Sequence, residues 1–240
     1  MGQLFNLDNK FFQGMNKMLD CVCLNLLWLI CCIPLITAAY FAFVTKVIVF
    51  WLFCIPTALP AGAATTALYY AINKTIRHGR GYIWREFWGS FRSNFKQAAV
   101  ISVILTLVML MLGLDAWLMH GFAENGQKVG MLYFVFLIFI LLVILWANYV
   151  YAYLARFSNG TKAILKNGAL MAVANLPRTG MLFVAFAVCA VLVAAVPVVI
   201  MVAPSCYMLI ENQILEKVFR KYMTPEDIAA EEERNQEFYN

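Results

Sequence analysis

Few side chains in this sequence are placed to do chemistry. Asn25, Ser102, Thr106 and Asn148 are the polar residues that sit well inside long apolar runs. A polar group in such a run either meets a ligand or ties helices together, and one interhelical hydrogen bond in lipid contributes about 1 kcal/mol. Asn25 and Asn148 carry both a donor and an acceptor, which makes them the candidate intramembrane polar sites; helix packing is their simpler use. The seven cysteines, Cys21, Cys23, Cys31, Cys32, Cys54, Cys189 and Cys206, all lie in or at the edge of apolar runs. Their number is odd and no C-x-x-C occurs, while His78 and His120, the only histidines, fall in or beside loops. This is no disulfide framework and no zinc pattern, and Cys31 with Cys32 reads as small apolar packing. Asp115 stands at the outer boundary of an apolar run, where a solvated acid costs little. There is no H-E-x-x-H, no G-x-S-x-G, no glycine-rich phosphate loop and no intramembrane acid pair. The expectation is therefore a protein that is not an enzyme and that uses no cofactor and no metal.

The second grouping is Tyr82 to Gln97, YIWREFWGSFRSNFKQ. Read as a helix, it places Trp84, Phe87, Trp88, Phe91 and Phe95 on one face at spacings of three and four, with Arg85, Arg92, Ser93 and Lys96 largely on another. Aromatic rings suit the headgroup boundary of a bilayer, and cations suit anionic lipid and water. The same residues, Trp84, Arg85, Phe87, Trp88, Phe91, Arg92, Phe95 and Lys96, would also make a docking surface for a partner.

The elements that must position these residues are membrane spans. Of 240 residues, 63% are hydrophobic and 13% charged, against about 45–50% and about 25% in soluble domains. The mean hydropathy is +0.76. The formal net charge of +5 comes from lysines and arginines gathered between apolar runs, so it reports insertion topology and argues against nucleic acid.

In chain order, residues 1 to 19 read as a short interfacial lead-in helix, not a secretory signal peptide. A first helical hairpin is expected over residues 21–72, its spans running from Cys21 to about Phe43 and from Val47 to about Ile72, with Lys46 in a tight turn between them. Each span needs about 20 residues to cross about 30 Å of hydrocarbon. Small residues four apart, Gly62 with Thr66 and Ala63 with Ala67, offer a close-packing face for another helix. A short echo relates Trp28 through Pro34 to Trp51 through Pro56. Paired helix breaks can mark a substrate site, but shared packing or coincidence is the better reading in so apolar a chain.

The basic segment 73–97 is cytoplasmic by the positive-inside rule, with Lys74, Arg77, Arg80, Arg85, Arg92 and Lys96 against the single acid Glu86. A second hairpin follows over 98–155: a span to Leu114, a connection from Ala116 to Gly130 on the outer side, and a return from Met131 to about Tyr153. Residues 156–180 form a second cytoplasmic connection, in which Ala163 to Leu176 would be a surface helix closed by Pro177. The last run, Met181 to Ile210, is read as one span, tilted or kinked at Pro197 and Pro204, leaving the C-terminal side outside. Lys217, Arg220 and Lys221 argue for the inside instead, so five spans are favoured and six are the alternative. The polar tail, 211–240, ends in a short helix capped by Thr224 with Pro225 and Asp227 in its first turn.

Asn25-Leu26-Leu27-Trp28, Cys32-Ile33-Pro34, Gly62-Ala63-Ala64-Thr65-Thr66-Ala67-Leu68-Tyr69-Tyr70, the aromatic-basic segment Phe87 to Ala98, and Asn175-Leu176-Pro177 together resemble the YesL-like family of bacterial, mainly Firmicutes, integral membrane proteins. The order and spacing of these stretches carry the likeness, which extends over nearly the whole chain. One departure stands out, an additional apolar stretch between the N-L-L-W…P and G-A-x-T-T-A-L-Y-Y motifs. The family has no known biochemical activity; its genes tend to accompany sugar transport systems and glycan-degrading enzymes. The resemblance thus implies an accessory role in carbohydrate uptake or use in a bacterial cell membrane, and supplies no catalytic residue.

The reading that results is an all-α, polytopic transmembrane helical bundle with an amphipathic cytoplasmic interfacial helix. It would contact the lipid bilayer, a sugar transporter complex and, in one option, further copies of itself, and would act as an accessory or assembly subunit. A small-solute transporter or channel is the alternative, and a sensor or regulator reading through the acidic tail is a third.

Overall fold

A computed structural model describes residues 10–79 and 82–223, together with 225, 226 and 228. The first nine residues of the lead-in, Arg80, and the Thr224 and Asp227 of the tail cap lie outside the described residues. The described chain is all-α: α1 (Lys10–Thr45), α2 (Ile48–Ala71), α3 (Ile83–Glu124), α4 (Leu132–Arg156), α5 (Thr161–Ala174), α6 (Leu176–Ala195) and α7 (Ala203–Phe219). A π-helical turn, Ile72–Arg77, prolongs α2, and 3-10 turns at Lys128–Met131 and Pro197–Met201 precede α4 and α7. Five stretches are long and apolar enough to cross a membrane: Gly14–Thr45, Ile48–Arg77, Ile83–Glu124, Lys128–Arg156 and Leu176–Ala195. Their outward faces, with Phe43, Phe134 and Val191 among the most exposed, offer apolar surface to lipid.

α1 and α2 are joined by two residues, and Lys46 makes the turn at φ 57, with Lys46 N–H donating to Ala42 O at 3.1 Å. Prolines inside these helices loosen the backbone. Thr37 Oγ1 donates to Ile33 O at 2.9 Å and Thr57 Oγ1 to Phe53 O at 2.7 Å, adding donors beside Pro34 and Pro56 where lipid offers none. Both prolines are exposed, and Trp28 Nε1 donates to Thr65 Oγ1 at 3.1 Å, packing α1 against α2.

The small-residue face of α2 meets α3. Ala61, Gly62, Ala63, Ala64, Thr66 and Ala67 are buried, and a Cβ on Gly62 would fall on Ser102 Oγ of α3. The core continues through Phe87, Ile101, Tyr149, Val150, Ile164 and Leu215.

Three expectations change. The basic aromatic segment is not a separate helix: α3 runs unbroken for 42 residues, about 63 Å at 1.5 Å per residue, because no Pro or interior break separates Tyr82–Gln97 from the span. The same continuity carries α3 past Asp115 and Ala116 to Glu124, shortening the expected outer connection. Pro177 opens α6 within its first turn instead of closing α5, a position where its missing N–H costs nothing.

The last apolar run also differs. It breaks at Val196–Val202, where Pro197 and Pro204 stand at the starts of new helical segments, and α7 turns back along α6. Phe186 and Tyr207 rings meet at 5.9 Å, and Arg178 Nη1 donates to Lys217 O at 3.4 Å. The single kinked span with its far end opposite the basic segments is thereby corrected: α7 ends beside Arg77, Arg156 and Arg178. This juxtaposition brings Lys217 to the same end of the bundle as the other cations.

Candidate functional site

The polar chemistry of the molecule collects at this basic end. α3 enters it with Glu86 buried and its carboxylate held by Lys74 Nζ at 2.7 Å and Arg85 Nη2 at 3.4 Å. Lys74 also donates to Tyr70 OH at 3.3 Å and lies 5.5 Å from the centre of that ring. Beside this pair opens a cleft of about 530 Å³ between the start of α3 and the end of α4, lined by Tyr70, Glu86, Ser90, Asn94, Arg156 and Ser158 among others. Its hydroxyls, carboxamides and guanidinium can hydrogen-bond a small polar solute. Glu86 is held by two cations, and no histidine is among the described residues that line the cleft.

Behind Arg156 lies a second carboxylate, Glu216 of α7, 3% exposed. It receives Asn73 Nδ2 at 2.8 Å and Tyr69 OH at 3.4 Å, and Arg156 Nε lies 3.5 Å away. Arg77 Nη1 donates to Asn212 O at 3.3 Å, while Asn212 Nδ2 donates to Met208 O at 3.0 Å and Tyr69 O at 3.4 Å. α7 is thus tied to α2 and α4 by side chains that would be costly to bury alone. Five residues before Glu216, Glu211 is 1% exposed, and its Oε2 has no hydrogen-bond partner.

The residues expected from the sequence divide among different places. Trp84, Arg85, Arg92, Phe95 and Lys96 are exposed, Trp88 and Phe91 are half-buried, and Phe87 is fully buried in the core. Rings follow one another along the helix, Trp84 to Trp88 at 6.0 Å, Trp88 to Phe91 at 5.2 Å and Phe91 to Phe95 at 5.5 Å. Five aromatics do not share one outer face, since Phe87 is turned inward by packing against the bundle. Asn25 is buried and bonded within the protein: its Nδ2 donates to Ile200 O at 2.8 Å, and Ser205 Oγ donates to its Oδ1 at 3.4 Å. It fastens the break between α6 and α7. Asn148 is half-buried with its Nδ2 shielded and without a hydrogen-bond partner, and no hydrogen bond joins it to Asn25 among the described residues. Ser102 bridges to Tyr151 OH at 3.0 Å.

Glu211, Asn212, Glu216, Tyr69 and Asn73 were not expected. A helical reading of residues 203–219 would have found the first three, because Met208, Leu215, Val218 and Phe219 recur at spacings that put Glu211 and Asn212 on the same buried stripe. The cysteines are all free thiols, and among the described residues no three His, Cys, Asp or Glu side chains converge as metal ligands.

Comparison with curated proteins and with solved structures gives no match. The sequence model of a family described as "Protein of unknown function, DUF624" does match, over residues 21–116. That region carries α1 from Cys21, all of α2 and most of α3, including the Gly62 contact and the exposed aromatic and basic residues. The chain is therefore similar, through its first three helices, to this family of unknown function.

Proposed function

We propose that the protein is an integral membrane accessory or assembly subunit that docks a partner at the basic end of α3, on the cytoplasmic side. The supporting observation is α3 itself, whose length is roughly twice the hydrocarbon thickness of about 30 Å. It carries Trp84, Arg85, Arg92, Phe95 and Lys96 exposed on a stiff arm continuous with a span. Stiffness matters because an ordered arm loses little entropy on binding. The likeness to a family whose genes accompany sugar transport makes a sugar transporter complex the first partner to test. Purification from a native host should recover transporter subunits with the wild type. Replacement of Arg85, Arg92 and Lys96 by Ala should remove them while leaving the protein in the membrane; no partner with either protein would sink the reading.

The cleft beside Glu86 favours a second reading, a small-solute transporter or channel. Uptake of a polar solute by the protein alone in liposomes would establish it, and uptake unchanged in Asn148→Leu would remove that residue from the path.

A further inference from the structure

The geometry points to Glu211 as a proton-binding site: its carboxyl holds a proton while α7 is seated against α2 and α4, and gives it up to water when α7 leaves that seat. Glu211 is almost completely buried, yet among the described residues no Lys, Arg or His nitrogen lies within 4.0 Å of its carboxylate. A bare carboxylate in such a place is far too costly, so it must bind a cation, and the smallest is the proton.

The groups that face it from each packed element are consistent with a neutral acid. α2 supplies the Tyr69 phenol, α4 that of Tyr149 and α7 itself that of Tyr207; the charged groups next out face those phenols, Arg77, Arg156 and Glu216 around Tyr69 and Arg178 by Tyr149. The cations are engaged elsewhere: Arg77 with Asn212 O, Arg156 with Glu216 and Arg178 with Lys217 O. The remaining neighbours are phenols and a second carboxylate, none of which stabilises a negative charge by ion pairing. Tyr207 OH and Asn212 Oδ1 are also buried without hydrogen-bond partners, so three unmatched polar atoms lie on consecutive turns of one helix. Two of these three atoms are acceptors only, and protonation removes the charge from one of them and gives it a hydrogen to donate. Burial pushes the Glu211 carboxyl well above the usual carboxylate range.

This site is independent of partner docking, and it concerns one helix. Deprotonation would place a bare charge between α7 and its neighbours, and the relief available is hydration of α7. The 3-10 break at Pro197–Met201 gives the hairpin a joint at which to open.

The test uses the full chain in nanodiscs. Infrared difference spectra between pH 6 and pH 9 should contain the carbonyl stretch of a protonated carboxyl in the wild type at pH 6. The band should be absent from Glu211→Gln and retained in Glu216→Gln. Hydrogen exchange of peptides covering residues 205–219, corrected for intrinsic pH dependence, should rise in the wild type by about tenfold per pH unit over the range in which Glu211 is ionised in the opened helix and still protonated in the seated one. In Glu211→Gln, whose amide stands for the neutral acid, it should stay flat. The proposal is overturned if the band is missing from the wild type, persists in Glu211→Gln or vanishes in Glu216→Gln. It is equally overturned if sodium ions at fixed pH abolish the band, which would make the site one for a metal cation. The wild-type spectrum decides the matter even where a variant fails to fold.

Discussion

Substituting Gly62 by Ala is the sharpest test of how α2 and α3 meet. The added methyl would fall on Ser102 Oγ, with Tyr151 OH at 3.0 Å and Ser102 Cβ at 3.1 Å from it. Ser102 can turn away only by giving up its bonds to Ala98 O at 2.8 Å and Tyr151 OH at 3.0 Å, each contributing about 1 kcal/mol. If it stays, overpacking costs about 1–3 kcal/mol. Either route sets the loss for Gly62→Ala near 2 kcal/mol. Ser102→Ala alone should lose about 1 kcal/mol, since it leaves Tyr151 OH without this partner. Independent sites would add to about 3 kcal/mol in the double variant. Because the clashing atom is the one that Ser102→Ala deletes, the double variant should instead lose only about 1–1.5 kcal/mol, a favourable coupling of about 1.5–2 kcal/mol. Reversible unfolding in mixed micelles, followed by tryptophan fluorescence, measures all four proteins. A double variant as unstable as the sum would refute the claim that Ser102 Oγ is what Gly62 makes room for.

Gly130→Ala should be worse than Gly168→Ala: a Cβ on Gly130 would land on the backbone of Ala123, whereas one on Gly168 meets Val150 Cγ2 at 2.8 Å, a methyl that can shift. Thermal unfolding should separate them by about 1 kcal/mol or more. Lys46→Gly should stabilise the first hairpin by about 1 kcal/mol, because the turn holds Lys46 at φ 57 and a Cβ there costs about 1–2 kcal/mol; no gain in the same melt would count against that turn. The folded value of Glu211 is raised above its unfolded one, so its contribution to stability is complete at pH below the unfolded value and falls as pH rises toward the folded one. The loss is about 1.4 kcal/mol per pH unit in that window. Glu211→Gln should therefore be more stable than the wild type at pH 8, with the gain fading toward pH 5, and a constant difference across that range would contradict the assignment.

Much of the spanning architecture is legible in the sequence because lipid enforces it. Twenty apolar residues between charges have few structures available, and a Gly62-Thr66, Ala63-Ala67 stripe has few uses besides close approach. The α1–α2 turn at Lys46 followed from the cost of placing that amine in hydrocarbon. Hydropathy was less informative at helix ends. It separates Gln97 from Ala98 by polarity, but a helix continues across a polarity change when no Pro or cap stops it, as α3 does. The polar cluster was hidden for a related reason. Glu211, Asn212 and Glu216 look like the beginning of a solvated tail, and their burial depends on Tyr69, Asn73 and Arg156, remote in sequence. The apolar stripe of α7 is enough to mark Glu211 and Asn212 as inward-facing, but the convergence of Tyr69, Asn73 and Arg156 on Glu216 is a tertiary property that a one-helix window does not contain.

The hairpin of α6 and α7 has a consequence for how the protein is made. Every partner that makes α7 tolerable inside the bundle, from Asn25 to Arg156, belongs to a helix that leaves the ribosome earlier. α6 is apolar enough to enter the bilayer when synthesised; α7, with two glutamates and an asparagine facing inward, is not. Its docking is a post-insertion event that needs α1, α2 and α4 already assembled as a template. Chains in which α7 has not yet docked would leave that groove open, the state in which a membrane quality-control protease would find its substrate.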